Sequence, residues 1–146
     1  MLSTEEFIKG QEKEETGIIA FKLNILNSCN KIIEDTPFMV KNVPPTEAQI
    51  HNSLIALDTN IRMLEKYYGV ESKIEIPKHY AGSQDVISFL EDRVTVIGFM
   101  TSMIFNIVKY TVRLGRKDDE AKEVEKIRIY FTRMKNFIEN GNSLHD

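Results

Sequence analysis

Apolar residues recur along this chain with the 3.6-residue period of an α-helix almost from end to end. Ile18, Phe21, Ile25, Cys29 and Ile32 follow one another in steps of three and four, the mark of a single buried stripe. Ser3 and Glu6 have the spacing of a capping box, which predicts a first helical stretch over residues 3–33. Gly10 and Gly17 weaken its start, so residues 1–16 read as a separate short helix or a frayed arm. The segment DTPFMVKNVPPTEA reads as a loop, because Pro37, Pro44 and Pro45 break helix and push their predecessors toward extended geometry. Thr46 is then placed to cap a second helix, with Gln49 as its reciprocal partner. Ile50, Leu54, Leu57, Ile61, Leu64 and Tyr68 form its stripe, and Gly69 supplies a left-handed end.

The next break, VESKIEIPKHYAGS, reads as extended loop, with 73–76 short enough to pass as a strand only briefly. A short helix fits residues 84–91 and a buried one fits 95–114, stopped by Gly115. Asp118 or Asp119 caps the last helix, which runs to about residue 139 with Val124, Ile127, Phe131, Met134 and Ile138 as its stripe. So short a turn between the final two helices predicts an antiparallel hairpin. The expected architecture is an all-α bundle of four to five helices ending in that hairpin. Residues 1–75 form an N-terminal helical region, and residues 76–146 pack with it as one compact domain.

Composition adds limits. Of 146 residues, 42% are hydrophobic and 28% charged, which is ordinary globular usage and enough to build a core without disulfides. The lone Cys29 suits a reducing cytosol, and three scattered histidines with one cysteine give no zinc site; neither zinc nor haem is expected. The longest uncharged run, residues 94–108, is shorter than the roughly 20 residues a membrane span needs and reads as a buried helix. The acidic, polar start MLSTEEFIKGQEKEE is unlike a signal peptide. A formal charge of −3 argues against general DNA binding. That mean conceals a split, because residues 106–135 carry nine Lys or Arg against five Asp or Glu. A basic third of this size outlines a local anion site.

Candidate chemistry lies in that basic third. The chain has no phosphate-binding glycine loop, no G-x-G-x-x-G, no H-E-x-x-H and no G-x-S-x-G, so any chemistry must come from side chains on helices. Ser102, Asn106, Lys109 and Arg113 are spaced by 4, 3 and 4, which puts them on one strip of an otherwise apolar helix. Glu123, Lys126, Tyr130 and Arg133 form a similar row on the last helix, and Arg116, Lys117, Asp118 and Asp119 join the two. Lys109, Arg113, Lys126 and Arg133 outnumber Glu123, and the missing partner is read as an anion, with phosphate suiting arginine and lysine together. A solvated face with snorkelling stems is the plainer account of the same charges. His79 and Tyr80 follow Pro77 and could contact a phosphate or stack on a base, although a loop histidine is more often structural. His51 and His145 receive no role. Glu12 and Glu15 have the spacing of a Mg²⁺-holding carboxylate pair, but the later partner motif is missing and a solvated face explains them better.

The C-terminal half resembles the SaV-like family of small phage proteins of uncharacterised domain type. The resemblance rests on Pro77, His79 and Tyr80; on Asp85, Val86 and Ile87; on Asn106, Lys109, Tyr110, Arg113, Gly115, Arg116, Lys117 and Asp118; and on Glu123, Lys126, Tyr130 and Arg133. It spans residues 76–138, and it departs from the family pattern at Phe105, Ile127 and Ile129, where a small residue, alanine and tryptophan are usual. Members are commonly labelled nucleotide kinases, by similarity to an early protein of T-odd coliphages. The resemblance therefore implies a phage or prophage origin, the host cytoplasm, and a protein that handles nucleotides.

The expected function is binding, and in its enzymatic version phosphorylation, of nucleoside or deoxynucleoside monophosphates in a slot between the last two helices. Asn106, Lys109, Arg113, Lys117, Lys126, Tyr130, Arg133, His79 and Tyr80 would hold the ligand. ATP would be the phosphate donor, with Asp118 or Glu123 holding Mg²⁺, and no general base is identified. The competing expectation is a non-enzymatic phage effector that binds a host protein or sequesters a signalling nucleotide, using Phe38 and Met39 in the Pro-flanked loop. A third is a helical assembly protein without a ligand. The regular seams predict a homo-oligomer in all three cases.

Overall fold

The computed structural model describes residues 16–41, 43, 44, 46–71, 87, 93–115 and 119–140. These residues are 87% helical and contain no strand. Four helices account for the order along the chain: α1 (Thr16–Val40), α2 (Thr46–Tyr68), α3 (Val96–Arg113) and α4 (Glu120–Glu139). Helix α1 lies against α2 and α3, and α4 lies against α3 and α2, so each helix has two neighbours, as in a four-helix bundle. Of the short helix expected over 84–91, Ile87 alone is described; it is helical and buried.

Each apolar stripe delivers its side chains to one core. Ile25, Cys29 and Ile32 of α1, Leu57, Ile61 and Leu64 of α2, Phe99 and Ile107 of α3, and Val124, Ile127 and Met134 of α4 are all at most 1% exposed. Phe21, Tyr68 and Ile138, also assigned to the stripes, sit half-buried against that core. Phe99 stacks on Phe137 at 4.2 Å between ring centroids. Tyr110 pairs with Tyr130 and Arg113 with Glu123, so contacts move down α4 as they move up α3 and the two helices run in opposite senses. Residues 116–118, which join them, lie outside the described residues. Burial pushes the Cys29 thiol up to about 12, which makes it a core hydrophobe rather than a nucleophile.

The loop expected from Pro37 is a correction. Helix α1 runs through Pro37 to Val40, seven residues past the expected end. Proline removes one donor, the N–H that would have met the Ile33 carbonyl, and Ile33 is an exposed position. The turn on its N-terminal side is closed by Thr36 Oγ1 donating to the Ile32 carbonyl at 2.6 Å. Beyond it, the Lys41 N–H reaches the Pro37 carbonyl and the Val43 N–H reaches the Phe38 carbonyl. Burial of Thr36 and packing of Met39 and Val40 on the core offset a cost of about 3 kcal/mol for an interior proline. Thr46 is likewise the first residue of α2 rather than its cap, its N–H bonded to the Val43 carbonyl at 3.0 Å.

The other boundaries follow the local chemistry. Helix α2 ends in a Schellman motif: Val70 N–H meets the Glu65 carbonyl, Gly69 N–H meets the Lys66 carbonyl, and Gly69 takes a φ of 68°. Thr95 caps α3, its Oγ1 accepting from Gly98 N–H at 3.0 Å. Gly115, at φ 91°, carries the chain away after Leu114. Asp119 caps α4, accepting from Lys122 N–H at 3.0 Å. The end of α3 receives one more contact, from a residue with no role in the sequence reading. Lys22 of α1, fully buried, donates from Nζ to the Leu114 carbonyl and so places its positive charge at the negative end of the α3 dipole.

A buried ion cluster clasps α4 to α2. Arg128 forks onto Glu65 at 2.7 and 3.0 Å and reaches Asp58 at 2.5 Å, while Asp58 also accepts from Arg62 at 3.0 Å. Burial alone would raise the Asp58 carboxyl, but the hydrogen bonds from Arg128 and Arg62 outweigh it and hold the group below its ordinary 3.8. A carboxyl lowered by folding stabilises the native state above its unfolded value, and that contribution disappears as pH falls through the folded value. The urea midpoint is therefore expected to drop as pH is taken from 5 toward 2, and Asp58→Asn is expected to flatten the part of that drop lying below 3.8. An unchanged pH profile in the variant would count against this account of the clasp. Among the described residues, no helix is long and apolar enough to cross a membrane.

Candidate functional site

Three cations from two helices surround one aromatic ring. Lys109 Nζ lies 4.7 Å from the Tyr110 ring centroid, Lys126 Nζ lies 5.0 Å from it, and the Arg113 guanidinium carbon lies 5.6 Å from it. Tyr110 in turn stacks on Tyr130, with centroids 6.0 Å apart and planes 13° apart. The helical spacing explains the gathering. Lys109 and Arg113 are one turn apart on α3, Lys126 and Tyr130 one turn apart on α4, and Tyr110 sits on the edge of α3 that faces α4. The ring's negative face attracts each cation by about 0.5–1 kcal/mol at such a partly exposed position.

Among the described residues, one carboxylate answers this charge. Glu123 Oε1 lies 3.7 Å from Arg113 Nη2, in a pair whose arginine side chain is 38% exposed and whose glutamate is 8% exposed. Neither Lys109 nor Lys126 has an acidic partner among the described residues. Such an arrangement costs repulsion between like charges, and it can repay that cost by holding an anion. Phosphate is the natural size, because two ammonium groups and a planar guanidinium supply donors from several sides.

The other residues of the sequence reading divide. Tyr130 joins the cluster through its stacking on Tyr110. Arg133 lies two turns beyond Lys126 on α4 and is buried, 4% exposed. Asn106 and Ser102 are half-buried, and both donate back into their own helix, Asn106 Nδ2 to the Ser102 carbonyl at 3.0 Å and Ser102 Oγ to the Gly98 carbonyl at 2.9 Å. One donor of Asn106 is thus already engaged. His79, Tyr80, Lys117 and Asp118 lie outside the described residues. Among the described residues, no group of three or more histidine, cysteine or acidic side chains is placed to hold a metal ion. Tyr110 enters the sequence argument only through the resemblance, yet its ring is the centre on which the cations converge. The signal was present in the sequence, as an aromatic residue inside the K-Y-x-x-R run that faces the last helix.

Fold and side chains together define an all-α bundle with a cationic cluster floored by tyrosine between α3 and α4. Residues 74–132 match a family model described as a protein of unknown function, DUF3310. The matched span includes all of α3 and α4 as far as residue 132, and with them Lys109, Tyr110, Arg113, Glu123, Lys126 and Tyr130. No curated protein and no solved structure matches the chain.

Proposed function

We propose that the protein binds a phosphorylated small molecule, of the nucleotide class, at the Lys109–Arg113–Lys126 cluster. The observation that supports this reading is the convergence of three cations on one tyrosine ring with, among the described residues, a single carboxylate paired with them. Tyr110 and Tyr130 offer aromatic faces beside that charge, a combination that suits a ligand with a phosphate and a planar base. In the enzymatic form of the proposal the cluster neutralises phosphoryl charge during transfer from ATP to a monophosphate, with Mg²⁺ held at Asp118 or Glu123. The SaV-like resemblance of the C-terminal half supports nucleotides over other phosphorylated molecules.

Thermal shift against mono-, di-, tri- and cyclic nucleotides tests it. A ligand at one hundred times its Kd adds about 2.7 kcal/mol to native stability. For a chain of this size that corresponds to a rise in Tm of roughly 5–10 °C. No shift with any nucleotide, joined to a flat calorimetric titration, would remove the proposal. A second reading, an effector that meets a host protein, draws support from Phe38, which is 52% exposed at the end of α1. Capture of one stoichiometric host protein that persists in Lys109→Ala would favour it.

A further inference from the structure

Among the described residues, Glu123 is the one acid paired with the cation cluster, and its two oxygens are treated differently. Oε1 meets Arg113 at 3.7 Å, too long for a hydrogen bond. Oε2 is sealed from solvent, and among the described residues no hydrogen-bond donor reaches it. The residue as a whole is 6% exposed. A buried carboxylate satisfied so poorly is expensive, and natural proteins keep such groups where something else completes them.

The anion proposed above sharpens the problem. Arg113 is the half-exposed member of its pair, so it is free to swing toward an arriving phosphate. If it does, Glu123 loses its nearest positive charge while a second negative group comes close. A bare oxyanion therefore makes Glu123 worse off. A ligand carrying a hydroxyl or amine beside its phosphate does the opposite, because that group donates to Oε2 as Arg113 turns outward.

We infer that Glu123 is a specificity-determining residue that accepts a hydrogen bond from the body of the ligand, so that the site takes a phosphate monoester with a neighbouring hydroxyl or amine donor and discriminates against simple phosphates. This inference rests on the reading of the cluster as a phosphate site. It adds that the anionic group alone is not the recognised unit. Sugar phosphates and nucleotides share the required chemistry, and a donor-free ester lacks it.

The test is a reversal of sign. Phenyl phosphate at pH 8 is a dianion without a donor, since the second ionisation of a monoester lies near 6. Nucleoside 5′-monophosphates carry the same dianion with hydroxyl and amine donors. Each is titrated calorimetrically into wild-type protein and into Glu123→Met, which removes both charge and acceptor at similar volume. Phenyl phosphate is expected to bind several-fold tighter to the variant, because a repelling charge is gone. The best-bound mononucleotide is expected to bind about tenfold more weakly, because its charge-assisted hydrogen bond is gone. Tightening of both ligands, equal weakening of both, or no change in either overturns the inference while leaving the phosphate site standing. Failure of wild-type protein to bind either ligand overturns the site and the inference together. Should Glu123→Met fail to fold, Glu123→Gln keeps the shape and decides the matter with the same two signs and a smaller loss for the mononucleotide.

Discussion

Replacing Arg128 with alanine is expected to destabilise the bundle by about 3–5 kcal/mol, the range for removing one partner of a buried ion pair. With a urea m-value of about 2 kcal/mol/M, the midpoint would fall by on the order of 2 M. The size of the effect comes from what is left behind. Glu65 is 2% exposed and would lose both bonds of the guanidinium fork, and the Asp58 carboxylate would lose its 2.5 Å contact. The side chain also lies over the Phe131 ring, at 5.5 Å, so packing disappears with the charge. Paired with Glu65→Leu, Arg128→Met is expected to recover most of that loss, since a buried pair exchanged whole for apolar groups is often neutral or better. A loss under about 1 kcal/mol for Arg128→Ala would show that the clasp contributes little to holding α4 on α2.

Arg128 also shows where sequence reading stops. It lies one turn after Val124 and three residues before Phe131, so the period that locates the core already put it on the buried side of α4. Lys22, one turn after Ile18 and one before the Leu26 side of α1, carries the same signal. What the period could not supply is the partner. Glu65 and Asp58 are 63 and 70 residues away from Arg128, and Leu114 is 92 residues away from Lys22. Reading charged residues as solvated by default is sound when no partner is known, and it misplaces these two.

The helices themselves were legible because four amphipathic stripes, each long enough to hold its own register, can satisfy one another only by facing inward. Thr95, Gly69, Gly115 and Asp119 end or start helices by bonds to residues within one or two turns, which is why those boundaries could be read. Pro37 is the opposite case. Its local chemistry says stop, and the burial of Thr36 with the packing of Met39 and Val40, set by the rest of the bundle, carries the helix on.

The cluster was half legible for the same reason. Spacing placed Lys109 with Arg113 and Lys126 with Tyr130, because each pair belongs to one helix. The register between α3 and α4 decides that Tyr110 becomes the floor, that Glu123 is sealed beside Arg113, and that Arg133 is buried. No spacing within a single helix contains that register.

Removing both lysines separates the two accounts of this cluster. Lys109→Ala with Lys126→Ala is expected to weaken mononucleotide binding by about 100-fold or more, since a charge-assisted hydrogen bond contributes roughly 1.5–3 kcal/mol and two are lost. Stability is expected to stay within about 1 kcal/mol of wild type. Each lysine gives up a cation–π contact with Tyr110 of about 0.5–1 kcal/mol, and the relief of repulsion among the three cations offsets it. Calorimetric titration beside urea unfolding reads both quantities on the same preparation. Binding lost while stability is kept is the signature of charge gathered for a ligand, because groups retained for the fold would show the reverse. A double variant that binds as tightly as wild type would make the cluster a solvated rim, with its lysines resting on Tyr110 only for want of a better neighbour.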